Sequence, residues 1–251
     1  MEFVIFLLLV LAIGYFLYRK AQTVILQQRC IFNLPRISEN YLEPEDVELL
    51  NTVSSIFRGT PSERFLIVSL LKYGIKAKAI FHDLYIFKPN GKTSQIDVVI
   101  TTNVGIIVFE VKDYSGWIYG NGKQQKWTQV LSHGREKYHF YNPILQNEAH
   151  ISQLKGVLKE NIPFYSIIVF AGNCKLEDIS FIPKNTFVTK SYRAIEVIEN
   201  IMKNNPVANY KDKQKVINIL SKAVNNGQNN DVTEKHISNI KEMLGEDRVF
   251  K

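Results

Sequence analysis

An apolar run from Phe3 to Tyr18 stands near the start of the chain and contains no charged residue. As a helix it would span about 24 Å, slightly less than the ~30 Å hydrocarbon core of a bilayer. Arg19 and Lys20 close the run with cations typical of the cytoplasmic side. A cleaved signal peptide would carry an early cationic region and a small-residue cleavage site, and the sequence shows neither. We therefore predict a single-pass transmembrane anchor over residues 1–20 in the cell membrane, with the remaining chain in the cytoplasm.

The spacing of apolar residues changes from helical to strand-like at residue 79. Before that point, we predict a juxtamembrane connector and helix over 21–58, with the helix over 43–57, and a second helix from Pro61 to Tyr73. The apolar run Ile106–Phe109 indicates a central strand that is buried on both faces. The other predicted elements are strands 79–87, 95–101, 105–112, 166–171 and 186–189, a hairpin-like segment 116–129, and helices 142–160, 192–203, 210–224 and 233–244. This order indicates an α/β fold, with the main domain over 59–172 and a helical C-terminal extension over 173–251.

Composition and charge narrow the classes of function. The formal net charge is +7, and residues 1–63 carry −2 while the rest carries +9. A basic main domain permits an acidic partner such as nucleic acid or an anionic membrane, although a lysine-rich surface is also simply well solvated. The two cysteines, Cys30 and Cys174, exclude a disulfide framework and a cysteine-rich zinc site. Glycine-rich phosphate loops, Ser/His/Asp triads and CxxC pairs are absent from the sequence.

The strongest chemical signal joins two neighbouring predicted strands. Asp97 lies in one, and Glu110 and Lys112 lie on one face near the end of the next. If the strands pair antiparallel, Asp97 lies beside Glu110, and two carboxylates suit Mg²⁺ or Mn²⁺. Lys112 could then orient an attacking water or stabilise charge on a phosphate. A solvated Glu–Lys pair at a strand end is the alternative that the triplet alone favours.

Further motifs around this triplet change that balance. These motifs are Gln95 to Ile100, Gly105 to Asp113, Gly116-Trp117, Gly120, Trp127 and Asn142-Pro143-x-x-Gln146-x-x-x-His150. With them, the chain resembles the nuclease-related (NERD) domain over about residues 59–172. The resemblance implies a restriction-endonuclease-like α/β core, with a mixed central sheet flanked by helices, and a role in DNA processing. It implies Asp97, Glu110 and Lys112 as catalytic residues, with the two carboxylates as metal ligands, and Glu63, Gln95 and Gln146 as supporting residues.

Two positions depart from the family pattern. Ser62-Glu63 stands where the family usually has Gly-Glu, and Glu110-Val111-Lys112-Asp113 stands where it favours Glu-Thr-Lys-Asn. In both motifs the charged residues of the family pattern are kept, namely Glu63, Glu110 and Lys112. Glu63 could instead complement the dipole of its helix. Gln146 and His150 share a helix face and could together hold a DNA phosphate or the water of a metal ion, or they could be an ordinary hydrogen-bonded pair on a helix surface.

The segment after Lys112 supplies candidates for nucleic-acid binding. Trp117 could stack on unpaired bases, as could Tyr119 and Trp127, while Lys123 and Lys126 could contact phosphates. The alternatives are aromatic residues that close a hairpin over a core and lysines that protect a sheet edge.

We therefore expect a membrane-anchored nuclease that hydrolyses phosphodiester bonds of nucleic acid, with DNA as the expected substrate and Mg²⁺ or Mn²⁺ as cofactor. The partners would be nucleic acid and, through the anchor, the membrane. The alternative is a non-catalytic nucleic-acid-binding module or a membrane-tethered scaffold on the same fold.

Overall fold

The computed structural model describes residues 42–131 and 134–244. The predicted anchor over residues 1–20 and most of the connector lie outside the described residues. Within these two ranges, no helix combines the length and the apolar character needed to cross a bilayer.

Six α-helices and nine strands make up the described part of the chain, and they confirm the α/β class. The helices are α1 (Pro44–Asn51), α2 (Pro61–Tyr73), α3 (Pro143–Leu158), α4 (Ala194–Asn204), α5 (Lys213–Asn226) and α6 (Asn230–Leu244). The strands are β1 (Ile80–Phe87), β2 (Thr93–Thr101), β3 (Ile106–Asp113), β4 (Gly116–Asn121), β5 (Lys126–Leu131), β6 (Glu136–Tyr141), β7 (Phe164–Ala171), β8 (Cys174–Ser180) and β9 (Thr186–Lys190).

Five strands form the central sheet in the order β1-β2-β3-β7-β9. The first three pair antiparallel, whereas β7 pairs parallel with β3 and with β9, so the sheet is mixed. Helix α3 supplies part of the crossover from β3 to β7, which a parallel pair requires. The mixed sheet predicted from the sequence is therefore confirmed.

Helices cover both faces of the central sheet. On one face, residues of α1, α2 and α4 share a buried apolar cluster with Val98, Ile107 and Phe109. On the other face, residues of α3 and α5 share a second cluster with Leu84 and Val108. Burial on both sides explains why β3 is apolar at successive positions.

Capping residues fix the starts of the two helices nearest the end of β3. The Thr60 hydroxyl accepts a hydrogen bond from the Glu63 backbone N–H at 3.3 Å, and Pro61 occupies the first turn of α2. Asn142 Oδ1 accepts from the Ile144 N–H at 2.9 Å at the start of α3. Both starts agree with the sequence prediction.

A second, four-stranded sheet has the order β6-β5-β4-β8. One of its faces packs on the central sheet: Trp127 stacks on Phe170 with ring centroids 6.0 Å apart and is 1% exposed. The suggestion that Trp127 stacks on unpaired bases is therefore wrong, because its rings are buried in a core. The hairpin predicted over 116–129 is present as β4 and β5.

Two predictions differ from the structure. The helix predicted over 43–57 ends at Asn51. Strands β6 and β8 do not follow from the sequence pattern. The strand predicted over 186–189 is present as β9, and it lies at an edge of the central sheet, so the region 173–251 is not purely helical.

Candidate functional site

Asp97 and Glu110 meet where β2 pairs with β3. The antiparallel ladder ends at Val98 opposite Phe109, so Asp97 and Glu110 are the next residues of the two strands beyond the last paired position. Asp97 Oδ2 accepts a hydrogen bond from the Val111 backbone N–H at 2.7 Å, so its carboxylate is fastened to β3. The antiparallel pairing expected from the sequence is present.

The inside-outside alternation of β2 breaks at Asp97. Ile96 packs in the cluster on the α3 and α5 face, whereas Val98 packs in the cluster on the α1 and α2 face. Yet Ile96 and Val98 are two residues apart, and a regular strand would put both on one face. Asp83 in the neighbouring β1 has a φ of 56°, and the faces of β1 also exchange there. Both strands therefore change faces at the same level, at Asp83 in β1 and at Asp97 in β2.

Glu110 and Lys112 lie on the same face of β3 and form a close ion pair. Lys112 Nζ is 2.6 Å from Glu110 Oε1, and it donates a hydrogen bond to Gln146 Oε1 at 3.2 Å. The Glu110 side chain is 1% exposed, and that of Lys112 is 21% exposed. Helix α3 therefore holds the lysine through Gln146, and the structure brings this predicted supporting residue to the pair.

His150 completes the surroundings of Glu110 from the next turn of α3. Its Nδ1 is 3.1 Å from the Ser94 hydroxyl, and its Nε2 is 3.3 Å from Glu110 Oε2. The alignment of Nε2 and Oε2 is too poor for a hydrogen bond, so both buried atoms lack one. The i, i+4 spacing predicted that His150 shares a face of α3 with Gln146, and the structure places it against Glu110.

The ionisation of the three central residues is coupled. Burial and the negative charges of Glu110 and Glu63 raise the pKa of Asp97 well above its usual range, and Lys112 offsets only part of the rise. Burial alone would raise the pKa of Glu110, but Lys112 and His150 outweigh it and the pKa is lowered. Burial alone would lower the pKa of Lys112, but Glu110 and Asp97 outweigh it and the pKa is raised.

Glu63 is buried beside this group at the start of α2. The Thr60 hydroxyl donates to its Oε1 at 2.8 Å, and its Oε2 is 3.0 Å from Nε2 of His82. His82 Nδ1 is in turn hydrogen-bonded to the Ser54 hydroxyl at 2.7 Å. Because Glu63 contributes to the raised pKa of Asp97, it lies within electrostatic range of the two central carboxylates.

Gln95 belongs to a different network. It donates to Asp83 Oδ1 at 2.7 Å, and Asp83 Oδ2 forms an ion pair with Arg58 at 2.8 Å. Arg58 also donates to the backbone carbonyl oxygen of Val224 at the end of α5. The hydrogen bond of the Gln95 side chain is to Asp83, and its link to the site is that it lies in β2, the strand that also carries Asp97.

The residues predicted to bind nucleic acid lie on or next to the second sheet. Lys123 stands over the Phe181 ring at 4.5 Å from its centroid, while Lys126 and Trp117 are exposed on β5 and β4. They form a surface separate from the Lys112 ion pair.

Asp97 and Glu110 are the side chains best suited to hold a divalent cation. Oxygen donors and two negative charges match the preference of Mg²⁺ and Mn²⁺. In the part of the chain that the structure describes, no group of three or more His, Cys, Asp or Glu side chains is arranged to hold a metal ion. Any further ligands would therefore be water, backbone or substrate oxygen.

Comparison with known proteins agrees with the resemblance seen in the sequence. The family model of the nuclease-related domain matches residues 58–171. An uncharacterized protein of Bacillus anthracis is 31% identical over 132 residues, which cover 53% of this chain and 61% of that protein. No solved structure matches the chain. The matched residues 58–171 span the strands that carry Asp97, Glu110 and Lys112 together with the helix that carries Gln146, and this part of the chain is similar to the nuclease-related domain.

Proposed function

We propose that the protein is a metal-dependent nuclease with a restriction-endonuclease-like core, which hydrolyses phosphodiester bonds of nucleic acid, with DNA as substrate. Similarity to the nuclease-related domain indicates a nuclease-related function that involves nucleic acid. The observation that carries the proposal is the buried carboxylate of Glu110, placed between Asp97 and the Lys112 ammonium. The anchor over residues 1–20 would attach this domain to the cytoplasmic face of the cell membrane.

The two carboxylates supply the reason to expect a cation. Burial and the negative charges of Glu110 and Glu63 raise the pKa of Asp97, so the ionised pair of carboxylates is disfavoured without a further counter-charge. A divalent cation bound by oxygen ligands would supply that charge. Mg²⁺ or Mn²⁺ held by Asp97 and Glu110 would supply an activated water and offset negative charge on the phosphate.

Lys112 acts as a permanent cation in this proposal. The negative charges of Glu110 and Asp97 raise the pKa of Lys112 and favour its protonated form, so we assign it the role of a cation and not of a general base. It can donate hydrogen bonds to a water or a phosphate oxygen and stabilise charge that develops on the phosphate. Glu110 and Gln146 orient the ammonium, and the exposed fifth of its side chain leaves it accessible to substrate.

The remaining predicted residues would support this group or bind substrate. Glu63 adds negative charge near Asp97, and its two hydrogen-bonded neighbours hold it in place. Trp117, Lys123 and Lys126 would contact the nucleic acid away from the reacting phosphate.

Metal-dependent cleavage of linear DNA by the full-length chain tests the proposal. We expect Lys112→Ala to lower the rate on the order of 10²–10³-fold, as loss of one transition-state donor does in other enzymes. Lys78→Ala removes an exposed lysine that forms no ion pair among the described residues, and it should cleave as the unaltered protein does. Equal cleavage by the Lys112→Ala protein and the unaltered protein would remove the assigned role.

The non-catalytic alternative makes a different prediction. A binding module would bind nucleic acid in a salt-sensitive manner, without a divalent ion, and Asp97→Asn would leave the affinity unchanged. Absence of cleavage with any divalent metal, together with such binding, would favour this alternative.

A further inference from the structure

The second sheet has one face that does not pack on the central sheet. Residues opposite each other on paired strands share a face, and successive residues alternate. Ile118 and Trp127 point inward, because both are buried in the cluster with Phe170. Trp117 and Tyr119 therefore point outward, and we call their side of the sheet the outer face.

Aromatic residues are exposed across this outer face. Trp117 is 38% exposed, Tyr119 is 37% exposed, and Tyr141 at the end of β6 is 55% exposed. Tyr119 pairs with Thr128, which pairs with His139, so these side chains form one row across three strands. Directly opposite side chains on a sheet lie about 5 Å apart, close enough for one extended ligand to contact several of them.

Cations accompany the aromatic residues. Lys175 lies opposite Trp117, Lys126 lies opposite Tyr141, and Lys137 lies opposite Val130. Lys175 pairs with Glu177 at 2.7 Å. Lys126 and Lys137 form no ion pair within the described ranges. Asp178 lies opposite Tyr119, so the three lysines are accompanied by two carboxylates, those of Glu177 and Asp178, and the charge of this group is positive on balance.

A cavity of about 480 Å³ opens at the end of the outer face nearest the candidate site. Trp117, Val130 and Lys175 line it, together with Ser115 and Asn173 from the loops that follow β3 and β7. This volume lies within the range of small-ligand sites, roughly 300–1,000 Å³. A fully extended chain advances at most about 3.6 Å per residue, so the Cα atoms of Lys112 and Trp117 are no more than about 18 Å apart.

We propose that the outer face binds single-stranded nucleic acid and leads it to the site around Lys112. Bases stack on Trp117 and Tyr119, the first base enters the cavity, and Lys126 and Lys137 contact phosphates. Exposed aromatic side chains can stack only on unpaired bases, whereas a duplex keeps its bases stacked internally. The distance between Trp117 and Lys112 is short enough for one strand of a few nucleotides to reach both. For comparison, OB-fold domains that bind single strands occupy ~4–16 nucleotides. This inference rests on the proposed function and names its substrate class.

Binding of a fluorescently labelled 20-nucleotide oligo(dT) to the full-length chain, held in neutral phosphatidylcholine nanodiscs without divalent metal, tests the proposal. We expect Trp117→Ala to weaken binding about 5- to 150-fold, the range found for loss of one base-stacking aromatic side chain. Trp117→Phe should restore most of the affinity because it keeps an aromatic face. Tyr192→Ala removes an aromatic residue that is 57% exposed and lies outside the second sheet, in the short helix that follows β9, and it should not change binding.

The salt dependence of oligo(dT) binding is a second measurement, because a substitution that only perturbed the fold would not change its slope in this defined way. Lys137→Ala should reduce the slope of log affinity against log salt by about 0.7, one phosphate contact on a single strand. Equal affinity of the unaltered protein and Trp117→Ala for oligo(dT), or tighter binding to the matching duplex, would overturn the proposal. So would a Trp117-dependent fluorescence change that responds to phosphatidylserine in the nanodiscs and not to oligo(dT), since the surface would then bind lipid.

The two proposals fail separately. Loss of cleavage in Lys112→Ala with oligo(dT) binding intact supports both. Metal-dependent cleavage that is unaffected by Trp117→Ala, with unaltered oligo(dT) affinity, would overturn only the binding surface. Binding that depends on Trp117, with no cleavage under any metal, would overturn only the nuclease.

Discussion

Replacing Asp97 by asparagine should abolish metal-dependent cleavage and at the same time stabilise the fold. Asp97 is half-buried, and burial and the charges of Glu110 and Glu63 raise its pKa. Asparagine has nearly the same shape and retains an oxygen that can accept the hydrogen bond from Val111 N–H. The substitution therefore removes a disfavoured charge without opening a cavity.

The size of the effect follows from the placement of Asp97 and Glu110 on neighbouring strands, each one residue beyond the last paired position. Two like charges about 6 Å apart repel by about 3 kcal/mol at an effective dielectric constant of about 20. The Lys112 ammonium attracts both carboxylates and cancels a large share of this repulsion. With partial exposure of Asp97 also screening the charge, we expect stabilisation of about 1–2 kcal/mol, or about 2–8 °C in Tm.

The effect should depend on pH with a definite sign. A raised native pKa means that the folded state binds the Asp97 proton more tightly than the unfolded state does. The penalty is absent below the unfolded pKa of about 3.9 and develops as the pH rises through the native pKa. The gain from Asp97→Asn should therefore be larger at pH 8 than at pH 5.

Thermal unfolding of the full-length chain, with and without Mg²⁺, measures these effects. Saturating Mg²⁺ should raise the Tm of the unaltered protein, because a ligand at 100 times its Kd stabilises the folded state by about 2.7 kcal/mol. The Tm of the Asp97→Asn protein should not change with Mg²⁺. Glu148→Gln removes an exposed carboxylate of α3 and should change stability by less than about 0.5 kcal/mol. Lower stability of Asp97→Asn at pH 8, or an equal difference at pH 5 and pH 8, would refute the reasoning.

Three further substitutions test the packing around the site, each by urea denaturation of the full-length chain. Lys112→Ala leaves the buried Glu110 carboxylate without its ammonium partner and should lower the free energy of unfolding by about 2–3 kcal/mol. This is less than the roughly 3–5 kcal/mol of fully buried ion pairs because Lys112 is partly exposed. An unchanged free energy of unfolding would contradict the role of this ion pair. Trp127→Ala should cost about 3–5 kcal/mol, whereas Trp117→Ala should cost much less, and equal costs would contradict the assigned faces of β4 and β5. Asn142→Ala removes the cap of α3 and the donor to three backbone carbonyls of the β4–β5 turn, and should cost about 2–3 kcal/mol, which an unchanged midpoint would disprove.

Local pattern was enough to predict how the elements that carry the candidate site are arranged, whereas the family resemblance was needed to favour a site over a solvated Glu–Lys pair. The strands that carry Asp97 and Glu110 are joined by a short connection, so their antiparallel pairing and register follow from neighbouring sequence. The start of α3 follows from Asn142-Pro143, and helical spacing from there places Gln146 and His150 on one side. Each of these inferences needs only contacts between residues close along the chain.

The parts that were missed depend on distant partners or on unusual backbone. Strand β8 pairs parallel with β4 across more than 50 residues, and its polar sequence lacks the alternation of a half-buried strand. Strand β6 is exposed on both sides at a sheet edge, so no apolar face identifies it. The exchange of faces at Asp83 and the hydrogen bond of His82 to Glu63 cannot be derived from a regular strand period.

The packing of α5 on β1 has a consequence for synthesis of the chain. Val216, Leu220 and Ala223 of α5 cover Phe81, Leu84 and Ile86 of β1, although about 130 residues separate the two elements. At about 5–20 residues per second, a ribosome needs roughly 7–26 s to reach α5 after it completes β1. For that time the nascent strand displays an uncovered apolar face at the edge of an incomplete sheet. A molecular chaperone that binds extended apolar segments would therefore protect the chain most during this interval.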